Sequence, residues 1–133
     1  MLKETITYID YKDNQRTEDF YFNLTEAEVM EMEMSTSGGY AEMLQRIIDA
    51  QDAPSLMKEF KTFIFKAYGE KSPDGKRFIK SEELSLAFSQ TEAYAILFKK
   101  IVTNAKAAAD FINGVMPAAK NEAPVPNVPS VNN

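Results

Sequence analysis

The sequence contains no cysteine, which removes disulfides, thiol catalysis, iron–sulfur clusters and thiolate zinc sites. It also contains no histidine, so the commonest general base and the commonest transition-metal ligand are missing. No apolar run approaches the roughly 18 residues of a membrane-spanning helix. The longest, Phe60 to Tyr68, is broken by Lys61, Thr62 and Lys66. Met1-Leu2-Lys3-Glu4-Thr5 lacks the basic region and long apolar stretch of a signal peptide. These absences predict a cytosolic, soluble chain with no membrane partner. Basic residues are outnumbered, 15 Lys+Arg against 20 Asp+Glu, for a net charge of −5. That weighs against nucleic acid as a partner, since such binders neutralise phosphates.

What is present suits a folded domain. The chain has 133 residues, 44% of them hydrophobic, enough for a core. Carboxylates are the sole acid–base resource. Glu26, Glu28, Glu31 and Glu33 read as solvated residues on a helix, with no sign of the cleft that paired-carboxylate catalysis needs. Asp10, Asp13 and Asp74 lack the alternating ligands and closing Glu of a calcium loop. Gly38-Gly39 lacks the Lys-Ser/Thr of a phosphate loop. Ser72, Ser81 and Ser89 have no histidine to activate them. No catalytic, cofactor-binding or metal-ligating residue is assigned, and the expectation is a non-enzyme that works by contact with another protein.

The predicted fold is α+β, mainly α: an N-terminal β-hairpin, then a bundle of about four to six short helices, then a disordered tail. One globular domain is expected over 1–116, with the hairpin at 3–24 and the helical part at 25–116. In the hairpin, Ile6 and Tyr8 share one face, and Phe20, Phe22 and Leu24 alternate against Tyr21 and Asn23 around a Lys12-Asp13-Asn14-Gln15 turn. Thr25-Glu26-Ala27-Glu28 reads as a capping box. The helix it opens should run to Met34, although Met30-Glu31-Met32-Glu33-Met34 fits a strand period too. Tyr40, Met43, Leu44, Ile47 and Ile48 make the apolar stripe of the next helix. Asp52-Ala53-Pro54 starts another, carrying Leu56, Phe60, Phe63, Ile64 and Ala67, with Gly69 suited to its C-terminal cap.

Residues 69–80 read as a polar loop. Ser81 and Thr91 are placed to cap the segments after them, and 82–102 fits one kinked helix or two. A last helix is expected over about 104–113, ended by Asn113-Gly114. Residues 117–133 hold four of the six prolines and no aromatic, and are expected to be disordered.

Two patterns bear on partners. Residues 17–45 carry seven acids and no Lys or Arg, whereas 58–80 carry seven bases and three acids. Such surfaces are either merely solvated, or steer a partner and let copies self-associate head to tail. Met30, Met32, Met34, Met43 and Met57 lie close together in sequence. Methionine fills irregular core gaps, and it also builds adaptable apolar surfaces. Met32 lies off the Ala27/Met30/Met34 stripe, so a helix packed on that stripe leaves Met32 partly exposed. The partner-binding candidates are Met30, Met32, Met34 and Tyr40.

Phe20-Tyr21-Phe22-Asn23-Leu24-Thr25-Glu26-Ala27-Glu28, the Glu31-Met32-Glu33 helix, Gly38-Gly39, and Tyr68-Gly69-Glu70-Lys71-Ser72-Pro73-Asp74-Gly75-Lys76-Arg77-Phe78 succeed one another in an order that is distinctive. Over residues 1–116 the chain resembles the tail assembly chaperones of long non-contractile-tailed bacteriophages, in the branch from Gram-positive hosts. The resemblance implies a non-enzymatic protein of the host cytoplasm, absent from the mature virion. Its partner would be the helical tape measure protein, kept soluble before the tail tube polymerises. Many such families also make a longer, frameshifted form. The competing readings are a small acidic phage adaptor that regulates a host protein, and a structural tail or connector subunit.

Overall fold

Leu2–Ile9 (β1) and Gln15–Phe22 (β2) are rich in β-branched and aromatic side chains that suit a half-buried pleated surface. They pair antiparallel from Leu2↔Phe22 to Ile9↔Gln15, which is the expected hairpin. One carboxylate organises the turn. Asp10 Oδ1 accepts from the backbone N–H groups of Lys12 and Asn14, and Arg16 Nε donates to Asp10 Oδ2 at 2.6 Å. Asp13 takes the left-handed conformation (φ +63°) that Asp tolerates better than most residues. The outer face is polar, with Thr5 donating to Asp19 and Thr7 paired with Thr17. The inner face carries buried Ile6 and Phe22 into the core.

The computed structural model describes residues 1–50 and 53–117. Asp52, the side chains of Ile47 and Ile48, and the expected tail from residue 118 onward fall outside that description. After the hairpin come Glu26–Met34 (α1), Tyr40–Ala50 (α2) and Ala53–Ala67 (α3), then Tyr68–Lys71 (β3) and Phe78–Ile79 (β4), then Glu82–Ser89 (α4), Glu92–Thr103 (α5) and Ala105–Val115 (α6). The mainly helical α+β expectation holds, and capping decides most boundaries. Thr25, Ser81, Thr91 and Asn104 each accept a backbone N–H from the first turn of the helix they precede. Thr91 also donates to Phe88 O, and its extended backbone separates α4 from α5, so 82–102 is two helices.

Three expectations need correction. Residues 69–80 are not a plain loop. They form a second hairpin that extends the sheet to the order β1-β2-β3-β4, with Tyr21↔Gly69, Phe22↔Tyr68 and Glu70↔Ile79 paired. Gly69 is therefore a strand residue and not a helix cap. A Cβ there would lie 2.7 Å from both Ile79 O and the Phe78 ring. The end of α3 is instead satisfied by other elements, because Ser85 Oγ donates to Phe65 O, Lys80 Nζ to Lys66 O and Asn23 N to Ala67 O. The last helix also runs past Asn113-Gly114 to Val115. Gly114 is required by close approach, since a Cβ would sit 2.8 Å from Leu2 Cδ1.

The core is aromatic. Phe22, Phe60, Phe63, Ile64, Leu97, Ile101, Phe111 and Val115 are sealed from solvent. The Phe88 ring stacks on Tyr68 at 4.4 Å between centroids and also meets Phe20, Phe22 and Tyr94. Phe111 joins Phe22 to Phe63. Phe88 and Phe111 thus tie α4 and α6 to the sheet and to α3.

Candidate partner-binding surface

Helix α1 starts with the anticipated capping box. Glu28 N donates to Thr25 Oγ1 at 3.1 Å, and Thr25 N donates to Glu28 Oε1 at 2.8 Å. The other oxygen of Glu28 has a second role. Lys80 Nζ donates to it at 2.8 Å, and the same ammonium donates to Asn23 O and Lys66 O. This one cation thus ties together the end of β2, the start of α1 and the end of α3. Burial pushes the Glu28 carboxyl up, but Lys80 and the two Thr25 contacts outweigh it and hold the group below its ordinary value.

This anchor sets the rotation of α1 and reverses its expected orientation. Glu28 must face Lys80, and Met32, four residues on, shares that face. Met32 is accordingly buried, at 6% exposure, and not left partly exposed as its place off the stripe suggests. Met30 and Met34 lie about 200° and 240° round the helix from Glu28 at roughly 100° per residue, and point outward. They are 58% and 83% exposed. Four residues apart, they form one apolar patch, with exposed Glu26 and Glu31 on the same short helix.

Tyr40, the fourth candidate, is also buried. Its ring stacks on Phe63 at 6.4 Å, and the Lys66 ammonium lies 5.7 Å from its centroid. Burial, with the Glu59 charge behind it, pushes the phenol far above its ordinary value. Its hydroxyl is the buried side-chain polar atom without a hydrogen-bond partner among the described residues. The two glycines before it are needed for their backbone, with φ of +81° at Gly38 and +90° at Gly39. Across that turn Glu33 Oε1 accepts from Ala41 N and caps α2.

The structure therefore separates the four residues: Met30 and Met34 are on the surface, and Met32 and Tyr40 lie beneath it. Met32 still lines a shallow concavity of about 350 Å³ with Leu24, Glu28, Glu31, Ser35 and Lys66. Lys66 also lines a larger groove of about 490 Å³ between α3 and α4. Sequence reasoning missed that groove and the hub at Lys80. The signal for the groove was Lys61 and Phe65 at i, i+4, and the ammonium indeed lies 5.8 Å from the ring centroid. Nothing in the local sequence marks Lys80, because its partners come from elements far away along the chain.

Other exposed apolar side chains include Met57 on α3, Leu86 on α4 and Ile96 on α5. Among the described residues no group of three or more acidic side chains is placed to hold a metal ion. No described helix is long and apolar enough to cross a membrane. A family model described as phage tail assembly chaperone matches residues 1–125 of the chain. No curated protein and no solved structure matches it.

Proposed function

The chain belongs to the phage tail assembly chaperone family, and from that membership we propose that it binds the helical tape measure protein and keeps it soluble before the tail tube polymerises. The observation that supports this reading is the outward turn of α1. It sets Met30 and Met34 in water beside Glu26 and Glu31. Methionine side chains adapt to varied apolar shapes, and flanking acids keep such a patch soluble when it is empty. Buried Met32 holds the opposite face of α1 against the core. The work needs weak apolar contacts repeated along a client, not a reaction, so the protein acts without catalysis. It acts in the host cytoplasm and leaves before the virion is complete. Copies bound side by side on one client can associate through the acidic and basic parts of the chain.

Co-expression with the tape measure protein tests the reading. The client should become soluble and co-purify with the wild-type chaperone. Met30→Ser with Met34→Ser should reduce the soluble client several-fold while the melting temperature stays within about 2 °C, since both side chains are exposed. A client that remains insoluble with the wild-type protein would refute the proposal. Recovery of the chain from purified virions would instead favour a structural tail or connector subunit.

A further inference from the structure

We infer that the groove between α3 and α4 docks an amphipathic helix of a partner protein whose apolar edge is flanked by carboxylates. This rests on the client binding proposed above and names the chemistry of the segment bound. The floor is half-buried Phe65. Ser85, also on the floor, already spends its hydroxyl on Phe65 O at 2.8 Å, so it asks nothing polar of an occupant. The rim carries Lys61, Lys66 and Lys80, with Glu82 as the acid on the same edge.

The three ammoniums are not equivalent. Lys80 is satisfied by Glu28 and two carbonyls. Lys61 and Lys66 are exposed, and the contacts they make are with aromatic faces, 5.8 Å from Phe65 and 5.7 Å from Tyr40. Neither stands within ion-pair distance of a carboxylate among the described residues. An ammonium without a carboxylate partner over the Phe65 ring, and a second on the rim that reaches toward Tyr40, suit a helix that presents leucine-type side chains to Phe65 and Glu or Asp to the lysines. The protein's net charge of −5 repels an acidic segment in general, so any affinity for one must be local to these lysines.

The test uses a synthetic helical peptide of about 18 residues, long enough for roughly five turns, with a leucine edge flanked by glutamates. Its counterpart carries lysines at the flanking positions. By fluorescence anisotropy the full chain should bind the glutamate peptide roughly tenfold more tightly than the lysine peptide, and less tightly as salt rises. Lys61→Glu with Lys66→Glu should abolish or invert that preference, and Lys61→Gln with Lys66→Gln should weaken it, providing a milder pair if charge reversal impairs folding. Equal affinity for the two peptides, or unchanged affinity in both variants, would overturn the inference. So would self-association that the glutamate peptide displaces and the lysine substitutions abolish, because the groove would then belong to a second copy. Tape measure solubility is read separately. A soluble client without peptide preference defeats only the groove, and peptide preference without a soluble client defeats only the proposed client.

Discussion

Replacing Lys80 with Met should unfasten three elements at once. The substitution keeps the length of the stem and removes the ammonium, which donates to Glu28 Oε2 at 2.8 Å, Asn23 O at 2.7 Å and Lys66 O at 2.9 Å. The Lys80 side chain is 20% exposed and its Glu28 partner 35%, so water replaces part of what is lost. Allowing about 1 kcal/mol for each of three charge-assisted bonds in this half-wet site gives a loss of about 3 kcal/mol. Cooperative unfolding of the roughly 115 described residues carries an entropy near 0.24 kcal/mol/K, so Tm should fall by about 12 °C. Circular dichroism melts at neutral pH measure this directly, with exposed Lys76→Ala as a control expected to change Tm by less than about 2 °C.

A pH series adds a sign. Glu28 is held below its ordinary value of 4.5 in the fold, so its contribution is complete above that value and is lost as pH falls below it. Wild type should therefore lose more stability than Lys80→Met on passing from pH 6 to pH 3. Asp10, held low first by Arg16, and Asp74, held low by the Lys76 amide and Ser72, remain in the variant, so part of the acid loss persists. A fall of less than about 3 °C for Lys80→Met would show that the bonds are replaced by water and that Lys80 is no hub.

Other substitutions probe neighbouring claims. Met32→Ala should cost about 2–3 kcal/mol in urea unfolding, and Met34→Ala less than about 0.5, a contrast that reports which face of α1 is buried. Equal costs would refute the assigned rotation. Tyr40→Phe removes a buried hydroxyl that has no partner among the described residues, so stability should stay level or rise by up to about 1 kcal/mol; a clear loss would reveal a hydrogen bond at that oxygen. Gly69→Ala forces a methyl to within 2.7 Å of Ile79 O and the Phe78 ring, so Tm should drop by several degrees and the amides of β3 and β4 should lose hydrogen-exchange protection.

Features governed by neighbours in sequence are legible from the residues alone. The capping box at Thr25 and Glu28, the caps at Ser81 and Thr91, the Asp/Asn turn of the first hairpin and the Phe60/Phe63/Ile64/Ala67 stripe all arise from chemistry within a few residues. Features governed by distant partners are not. Gly69 comes after the final turn of an amphipathic helix, where local rules favour a cap, but Ser85, Lys80 and Asn23 already satisfy that helix end. Two-residue β4 is too short to show a period, and β3 pairs with a strand more than forty residues earlier. Met32 escapes local reasoning for the same cause. The stripe argument rests on apolar spacing alone, and a polar tether to Lys80 decides which way the helix turns.

The seam between β1 and helices α5 and α6 has a consequence for synthesis. Glu4 meets Lys100, a partner 96 residues away, and Leu2 fills the hollow over Gly114. The hairpin is made before the helices that pack on it, and alone it is marginal in water. Its greasy inner side, with Ile6, Phe20 and Phe22, gains Tyr68 and Phe88 as α3, β3 and α4 are made, and is fully covered only when α5 and α6 have been translated. The nascent chain is therefore itself a sticky polypeptide during its manufacture, and its native shape arrives only once α6 has emerged to close over β1.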